Sequence, residues 1–231
     1  MIPSIIHKLE KDFSIELLDL PFSISPTLQA TVDSIWAEEK RQKGEALFDG
    51  LILNAIDVSA HRLAGHWINY RYALAAYRQP DLAKRLGVHT VAVNGITMAG
   101  KHVLLARRAK FVSQNPGCWE LVPSGGIDPT AKSDNGVVDH RIALLTELQE
   151  ETGLSRERVK AVEPLILAFD PSTSTWEMVL EIHLVGEATP QLSSSEYEEF
   201  TWVDRAELGS FLDRYDEKQV VPLTRTVVDM I

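Results

Sequence analysis

Apolar residues recur at two periods along this chain, and the two periods divide it into elements. Leu28, Val32, Ile35 and Trp36 return at helical spacing, which predicts a helix over 27–44 with Gly44 as its stop. Residues 48–58 and 67–73 read as extended, a strand pair with a turn near Ala64 and Gly65. Residues 74–86 read as a short helix interrupted by Pro80.

From Gly87 the texture changes. Residues 88–96 are rich in β-branched side chains, and 102–108 form a second strand candidate. Asn94-Gly95 and Ala99-Gly100 are turn signals, so this stretch reads as a hairpin. A short apolar piece at 119–122 leads into Pro123-Ser124-Gly125-Gly126 and a loop, followed by a helix that ends at Gly153. Residues 162–169 read as a strand. Residues 176–185 alternate, with Trp176, Met178, Leu180, Ile182 and Leu184 on one face and Glu177, Val179, Glu181 and His183 on the other. A strand at 200–203 and helices at 204–212 and 220–230 complete the reading. Strands and helices mixed in this way, with antiparallel connections, predict an α/β (α+β) class with a mixed sheet. The division expected is an N-terminal extension over 1–86, a helix plus a strand pair, and a domain over 87–231.

The helix before Gly153 carries the most specific chemistry. Glu147, Glu150 and Glu151 stand at i, i+3 and i+4, on one face of a single turn. On a wheel of about 100° per residue, Val138, Ile142 and Leu145 fall opposite, with Leu148 at the edge. Three like charges repel, and the C-terminal end of a helix dipole already disfavours anions. A hard divalent cation such as Mg²⁺ or Mn²⁺ relieves both penalties. The plainer alternative is a solvated acidic helix face.

Composition narrows the partners. The 231 residues carry a net charge of -10, which argues against a nucleic-acid polymer. Small anions remain open, since they need only a local cationic cluster or a metal ion. The single cysteine, Cys118, excludes an internal disulfide and a cysteine-rich metal site. No apolar run approaches a membrane span, and the N-terminal Met-Ile-Pro-Ser-Ile-Ile-His-Lys lacks the apolar core of a signal peptide. A cytoplasmic location with no membrane partner is the expectation.

Gly125-Gly126, followed by a helix ending Glu147-Leu148-Gln149-Glu150-Glu151-Thr152-Gly153-Leu154, resembles the Nudix box. Arg107-Arg108, Pro116-Gly117-Cys118-Trp119 and the downstream Glu198-Glu199-Phe200-Thr201-Trp202-Val203 are similar to the family as well. The likeness covers roughly 87–212 and implies a Nudix-like α/β/α sandwich. Two departures stand out. Gly126 to Glu147 spans 21 positions, six more than the family pattern, and Thr146 occupies the place of the box arginine. Val138 falls where the earlier box glutamate belongs, with Asp139 one position off. The stretched box behind a long extension resembles the branch that includes UDP-glucose pyrophosphatases.

The resemblance implies Mg²⁺-dependent or Mn²⁺-dependent hydrolysis of a nucleoside diphosphate linked to another moiety, a nucleotide sugar such as UDP-glucose in the first place. Glu147, Glu150 and Glu151 would be the catalytic carboxylates and metal ligands, with the Gly125 carbonyl completing the shell. Glu150→Gln and Glu151→Gln would each abolish Mg²⁺-dependent phosphate release. Arg108 and Arg107 are the candidate substrate-binding residues, Arg being suited to phosphate. Arg141 is a candidate replacement for the missing arginine. A further carboxylate could come from Glu196 or Glu198, or from Glu177 or Glu181. Trp119 stacks on a base or belongs to the core. His61, His66, Trp67, Tyr70, Arg71 and Tyr72 form a nucleotide-reading wall, a packing surface or a dimer interface. A homodimer stays open as an assembly. The competing reading is a non-catalytic Nudix-fold module that binds a nucleotide or a protein.

Overall fold

A computed structural model describes residues 4–44, 47–112, 114–192 and 195–231. The first three residues of the N-terminal segment inspected above for a leader lie outside the described residues. The first elements are β1 (Ser4–Lys8), β2 (Ser14–Leu17), α1 (Pro26–Lys43), β3 (Leu51–Val58), β4 (Arg62–Asn69), α2 (Tyr70–Arg78) and α3 (Pro80–Leu86). They are followed by β5 (Thr90–Ala99), β6 (His102–Arg108), β7 (Trp119–Leu121), β8 (Ser124–Gly126) and α4 (His140–Thr152). The last are β9 (Val159–Asp170), β10 (Thr175–Leu184), β11 (Tyr197–Asp204), α5 (Leu208–Leu212) and α6 (Pro222–Val228).

Local chemistry accounts for most boundaries. Ser25 caps α1 by accepting from Leu28 N, and Pro26 sits in the first turn, where a missing N–H costs nothing. Pro80 starts α3 for the same reason, so it divides two helices instead of interrupting one. The β3–β4 turn falls at 59–61, where Ser59 Oγ accepts from Arg62 N at 3.1 Å. It does not fall at Ala64 and Gly65, which lie inside β4. Gly65 is there for close approach: a Cβ on it would stand 2.3 Å from the Asn54 carbonyl oxygen. The stretch expected to remain extended to 73 leaves the sheet at Asn69, and Tyr70 begins α2. Asn94-Gly95 lies within β5 and makes no turn.

The eleven strands among the described residues join one mixed sheet, in the order β1-β9-β10-β5-β3-β4-β2, with β6 and β8 on β5, and β7 and β11 on β6. The β10–β5 and β2–β4 pairs are parallel and the others antiparallel. The sheet crosses the boundary expected at 86–87: β1 pairs with β9, and Asn54 of β3 pairs with Thr90 of β5.

Helices cover both faces. Val91, Val93, Leu104, Leu180 and Ile182 pack on Leu144 and Leu148 of α4. Ile96, Leu105, Val179 and Val203 pack on the other side against Phe211 and Leu212 of α5 and Val227 of α6. The alternation along β6 and β10 assigns each side chain to its face. A third cluster holds Val32 of α1 against Ala75 and Ala76 of α2 and Leu82 and Leu86 of α3. No helix among the described residues is long and apolar enough to cross a membrane.

Candidate active site

The site is organised by the short strand β8, which lies between β5 and the C-terminal half of α4. Its Gly125 packs directly on α4: a Cβ there would lie 2.0 Å from Glu147 Oε1 and 2.1 Å from Glu147 Cδ. A side chain at this position would force the glutamate to move. Beside it, Ser124 N donates to Glu151 Oε2 at 3.1 Å, and Ser124 Oγ donates to Asn94 Oδ1 at 2.9 Å. Asn94 in turn donates to Glu177 Oε2 at 2.7 Å, which brings a carboxylate of β10 into the same place.

β8 borders a cleft of about 510 Å³. Glu120, Glu147, Glu177, Glu196 and Asp170 line it, with Arg108 among them. On the inner side, Tyr197 Oη stands 2.7 Å from Glu120 Oε1 and 3.2 Å from Glu151 Oε1. One phenol proton therefore serves two buried carboxylates. Arg108 Nη1 donates to Glu120 Oε1 at 2.5 Å and its guanidinium lies over the Tyr197 ring. Glu196 is 3.8 Å from Arg108 Nη2.

So many acids in one cleft raise their own pKa values. Burial, then Glu150, Glu196 and Asp128, push Glu147 up to about 7. Burial pushes Glu177 up to about 7 as well, against the hydrogen bond from Asn94. Burial and the neighbouring Glu120 and Glu147 hold Glu151 well above the usual carboxylate range. Burial also raises Glu120, although Arg108 pulls the other way. Each shift measures how poorly the site tolerates its own negative charge. An all-oxygen donor set of this kind fits a hard divalent cation. Glu147 and Glu177, which line the cleft, and Glu151, which does not, are the carboxylates that would hold it; their oxygens do not all lie within 4.8 Å of one another.

The structure separates residues that the wheel had grouped. Glu151 is buried, on the same side of α4 as Leu144 and Leu148, whereas Glu150 is exposed; neither lines the cleft, and of the three only Glu147 does. The apolar stripe is rotated from the one expected, because α4 begins only at His140 and Val138 precedes it. Asp139 caps this helix, its carboxylate accepting from Arg141 N at 2.8 Å. Arg141 does not stand in for the box arginine: its Nη2 donates to the Lys11 carbonyl at 3.2 Å, away from Glu147. Among the described residues, Arg108 is the cation that lines the cleft.

Strand alternation splits the arginine pair. Arg107 does not line the cleft and makes ion pairs with Glu198 and Glu199, both at 3.0 Å. Glu198 is therefore engaged outside the cleft, while Glu196 and Glu177 line it. Glu181 joins Glu163 and His183, the one described trio of His, Cys, Asp or Glu whose ligand atoms lie within 4.8 Å of one another, and these residues do not line the cleft. Trp119 is a core residue, packed edge-on against Phe211.

Among the N-terminal candidates, Tyr70 alone lines the cleft. His66 is tied to Asn54 and the Leu20 carbonyl, Arg71 to Asp49, and Tyr72 to Gln29. Sequence reading passed over Glu120 and Tyr197. Glu120 sits in a three-residue strand dominated by Trp119 and Leu121, and no spacing links it to residues 147–151.

The family profile NUDIX domain matches residues 88–224. That span is more than half of the chain, which therefore belongs to the Nudix family and is a hydrolase of diphosphate bonds. Among solved structures, a Deinococcus radiodurans protein, DR0079, shares the fold at 17% identity and a TM-score of 0.52, covering 77% of this chain and 97% of that one. A C. elegans Ap4A hydrolase is similar at 20% identity and a TM-score of 0.40, covering 60% of this chain and 96% of that one. The NUDIX domain of Shewanella oneidensis NrtR, complexed with ADP ribose, is similar at 17% identity and a TM-score of 0.44, covering 62% of this chain and 85% of that one. No curated protein matches the chain in sequence.

Proposed function

We propose that this chain is a divalent-cation-dependent pyrophosphohydrolase acting on a nucleoside diphosphate linked to another moiety, with a nucleotide sugar such as UDP-glucose the first substrate to test. The observation that carries the reading is the contact of Gly125 with Glu147 at the edge of a cleft lined by Glu120, Glu177 and Glu196. An anionic diphosphate cannot enter so acidic a cleft alone, since like charges at close range cost several kcal/mol. Mg²⁺ or Mn²⁺, when bound, would neutralise the diphosphate and make bound water a better nucleophile.

The chain's own residues prepare that chemistry. Gly125 leaves room for Glu147 against β8, at the edge of the cleft, where it would bind the cation or orient the attacking water. Ser124 N and Tyr197 hold Glu151 by its two oxygens. Arg108 keeps Glu120 paired, and its guanidinium is the cationic group nearest the diphosphate. Glu150, on the exposed side of the last turn, would join as a ligand from outside the cleft. The division at 86–87 belongs to this reading too: the hydrolytic residues would come from 87–231, while Ile52, Tyr70, Ala73, Leu74 and Tyr77 of the extension line the same cleft.

The exposed position of Glu150 and the threonine at 146 favour a second reading, a Nudix-fold module that binds nucleotides without turnover. A panel of UDP-sugars, ADP-ribose, dinucleoside polyphosphates and nucleoside triphosphates, incubated with Mg²⁺ or Mn²⁺ and read by product release, separates the two. Turnover of a diphosphate-linked nucleotide is expected. No turnover on any of them, with nucleotide binding intact, would leave the binding module.

A further inference from the structure

Part of the wall of the cleft that the carboxylates line is built by α2, a helix outside the family match. Tyr70, Leu74 and Tyr77 stand at i, i+4 and i+7, so they share one face of α2, and all three line the cleft together with Ala73. Both tyrosines are partly exposed. Their wall meets the catalytic strand directly: Ile52 also lines the cleft, and its Cδ1 lies 3.0 Å from where a Cβ of Gly126 would be.

The wall is braced from behind. Arg78 forms a two-pronged pair with the buried Glu39 of α1, at 2.5 Å and 3.0 Å. Its guanidinium lies 5.6 Å from the centre of the Tyr77 ring. Next to Tyr70, Arg71 N and Nε donate to Asp49 at 2.9 Å and 2.5 Å. The start and end of α2 are thus anchored by ion pairs that face away from the cleft. Two rings held this firmly lose little freedom on receiving a flat ligand.

We propose that Tyr70 and Tyr77 form the subsite for the aromatic base of the nucleotide, so that the N-terminal extension reads the base while the domain after Gly87 cuts the diphosphate. The assignment rests on the diphosphate reading of the same cleft. A sugar presents hydroxyl groups and asks for a matching set of polar partners, whereas this helix face offers two flat rings and aliphatic side chains. A base presents a flat π-face, for which such rings are the complementary surface. The cleft's volume of about 510 Å³ suits a ligand of nucleotide size.

Calorimetric titration with ADP, UDP and inorganic pyrophosphate, each with Mg²⁺ present, tests the assignment. Tyr70→Leu and Tyr77→Leu keep the helix face apolar, and thermal melting checks that each variant is folded. Each is expected to weaken ADP and UDP about tenfold while leaving pyrophosphate within about twofold. Tyr70→Phe and Tyr77→Phe keep the rings and are expected to restore nucleotide binding. Equal losses for pyrophosphate and nucleotides, unchanged nucleotide binding in both leucine variants, or a wild type that binds pyrophosphate and neither nucleotide would each overturn the assignment. The expected binding pattern in a protein with no turnover would uphold the subsite and overturn the hydrolase reading. Turnover with an unchanged KM in both leucine variants would do the reverse.

Discussion

Gly125 leaves open the space that the Glu147 carboxylate fills, since a Cβ on Gly125 would fall 2.0 Å from Glu147 Oε1. Gly125→Ala must therefore push Glu147 aside. A displacement of this size at a reacting group costs about 10²-fold in rate. The expected result is a loss of that order in kcat with the fold retained, measured by product release and thermal melting. Wild-type turnover in this variant would remove Glu147 from the chemistry.

Tyr197 shares one proton between Glu120 and Glu151. Tyr197→Phe keeps the ring, with its packing on Phe200 and Arg108, and leaves both carboxylates short of a donor. A loss of about 1–3 kcal/mol in urea denaturation is expected. Mn²⁺ affinity in the same variant should fall, because Glu151 loses one of its two restraints.

Glu120 and Arg108 are a buried ion pair. Arg108→Met leaves the Glu120 charge without compensation and should cost about 3–5 kcal/mol. Arg108→Met combined with Glu120→Leu removes both charges and should regain most of that loss. A double-mutant cycle by chemical denaturation reads the coupling, and additive losses would show that the pair is not coupled.

Stability without metal should fall as pH rises. Glu147 and Glu177 are each pushed up to about 7 from an ordinary 4.5. A carboxyl group that holds its proton more tightly when folded favours the fold at low pH. That contribution is complete below about 4.5, is lost as pH climbs through about 7, and is absent above it. Melting in chelator should therefore be higher at pH 5 than at pH 8. Added Mg²⁺ should stabilise more at pH 8, since cation and protons compete for the same oxygens.

Glu150 and Glu151, both in the last turn, should part company in stability while agreeing in activity. Glu150→Gln and Glu151→Gln are each expected to abolish Mg²⁺-dependent turnover. Glu150 is exposed, so its variant should melt within about 0.5 kcal/mol of wild type. Glu151 is buried beside Glu120 and Glu147, so Glu151→Gln should raise metal-free stability at pH 8. Undiminished turnover in Glu150→Gln would remove Glu150 from the site.

Much of this arrangement was legible along the chain because it depends on near neighbours. Periods of two and of 3.6 revealed most strands and the long helix α1, and Gly153 with the acidic run marked the end of α4. The glycine pair and the three glutamates, taken with their spacing, named the family. Spacing could not orient them. The wheel put Glu151 with Glu150, whereas packing of Leu144 and Leu148 on the sheet turns Glu151 inward and leaves Glu150 outside. Short β1 and β2 escaped notice because an edge strand carries little pattern of its own. Glycine is ambiguous for a related reason: Gly65 looked like a turn and proved to be a point of close strand approach.

The remaining decisions belong to contacts between residues far apart in the chain. Tyr197 meets Glu120 across 77 positions, Asn94 meets Glu177 across 83, and α2 closes a cleft whose carboxylates follow it by tens of residues. Periodicity and motif spacing report only what lies within a turn or a strand. Which strand ends face the cleft, which arginine enters it and which tyrosines wall it are set when the sheet closes, because burial is a property of the assembled layers.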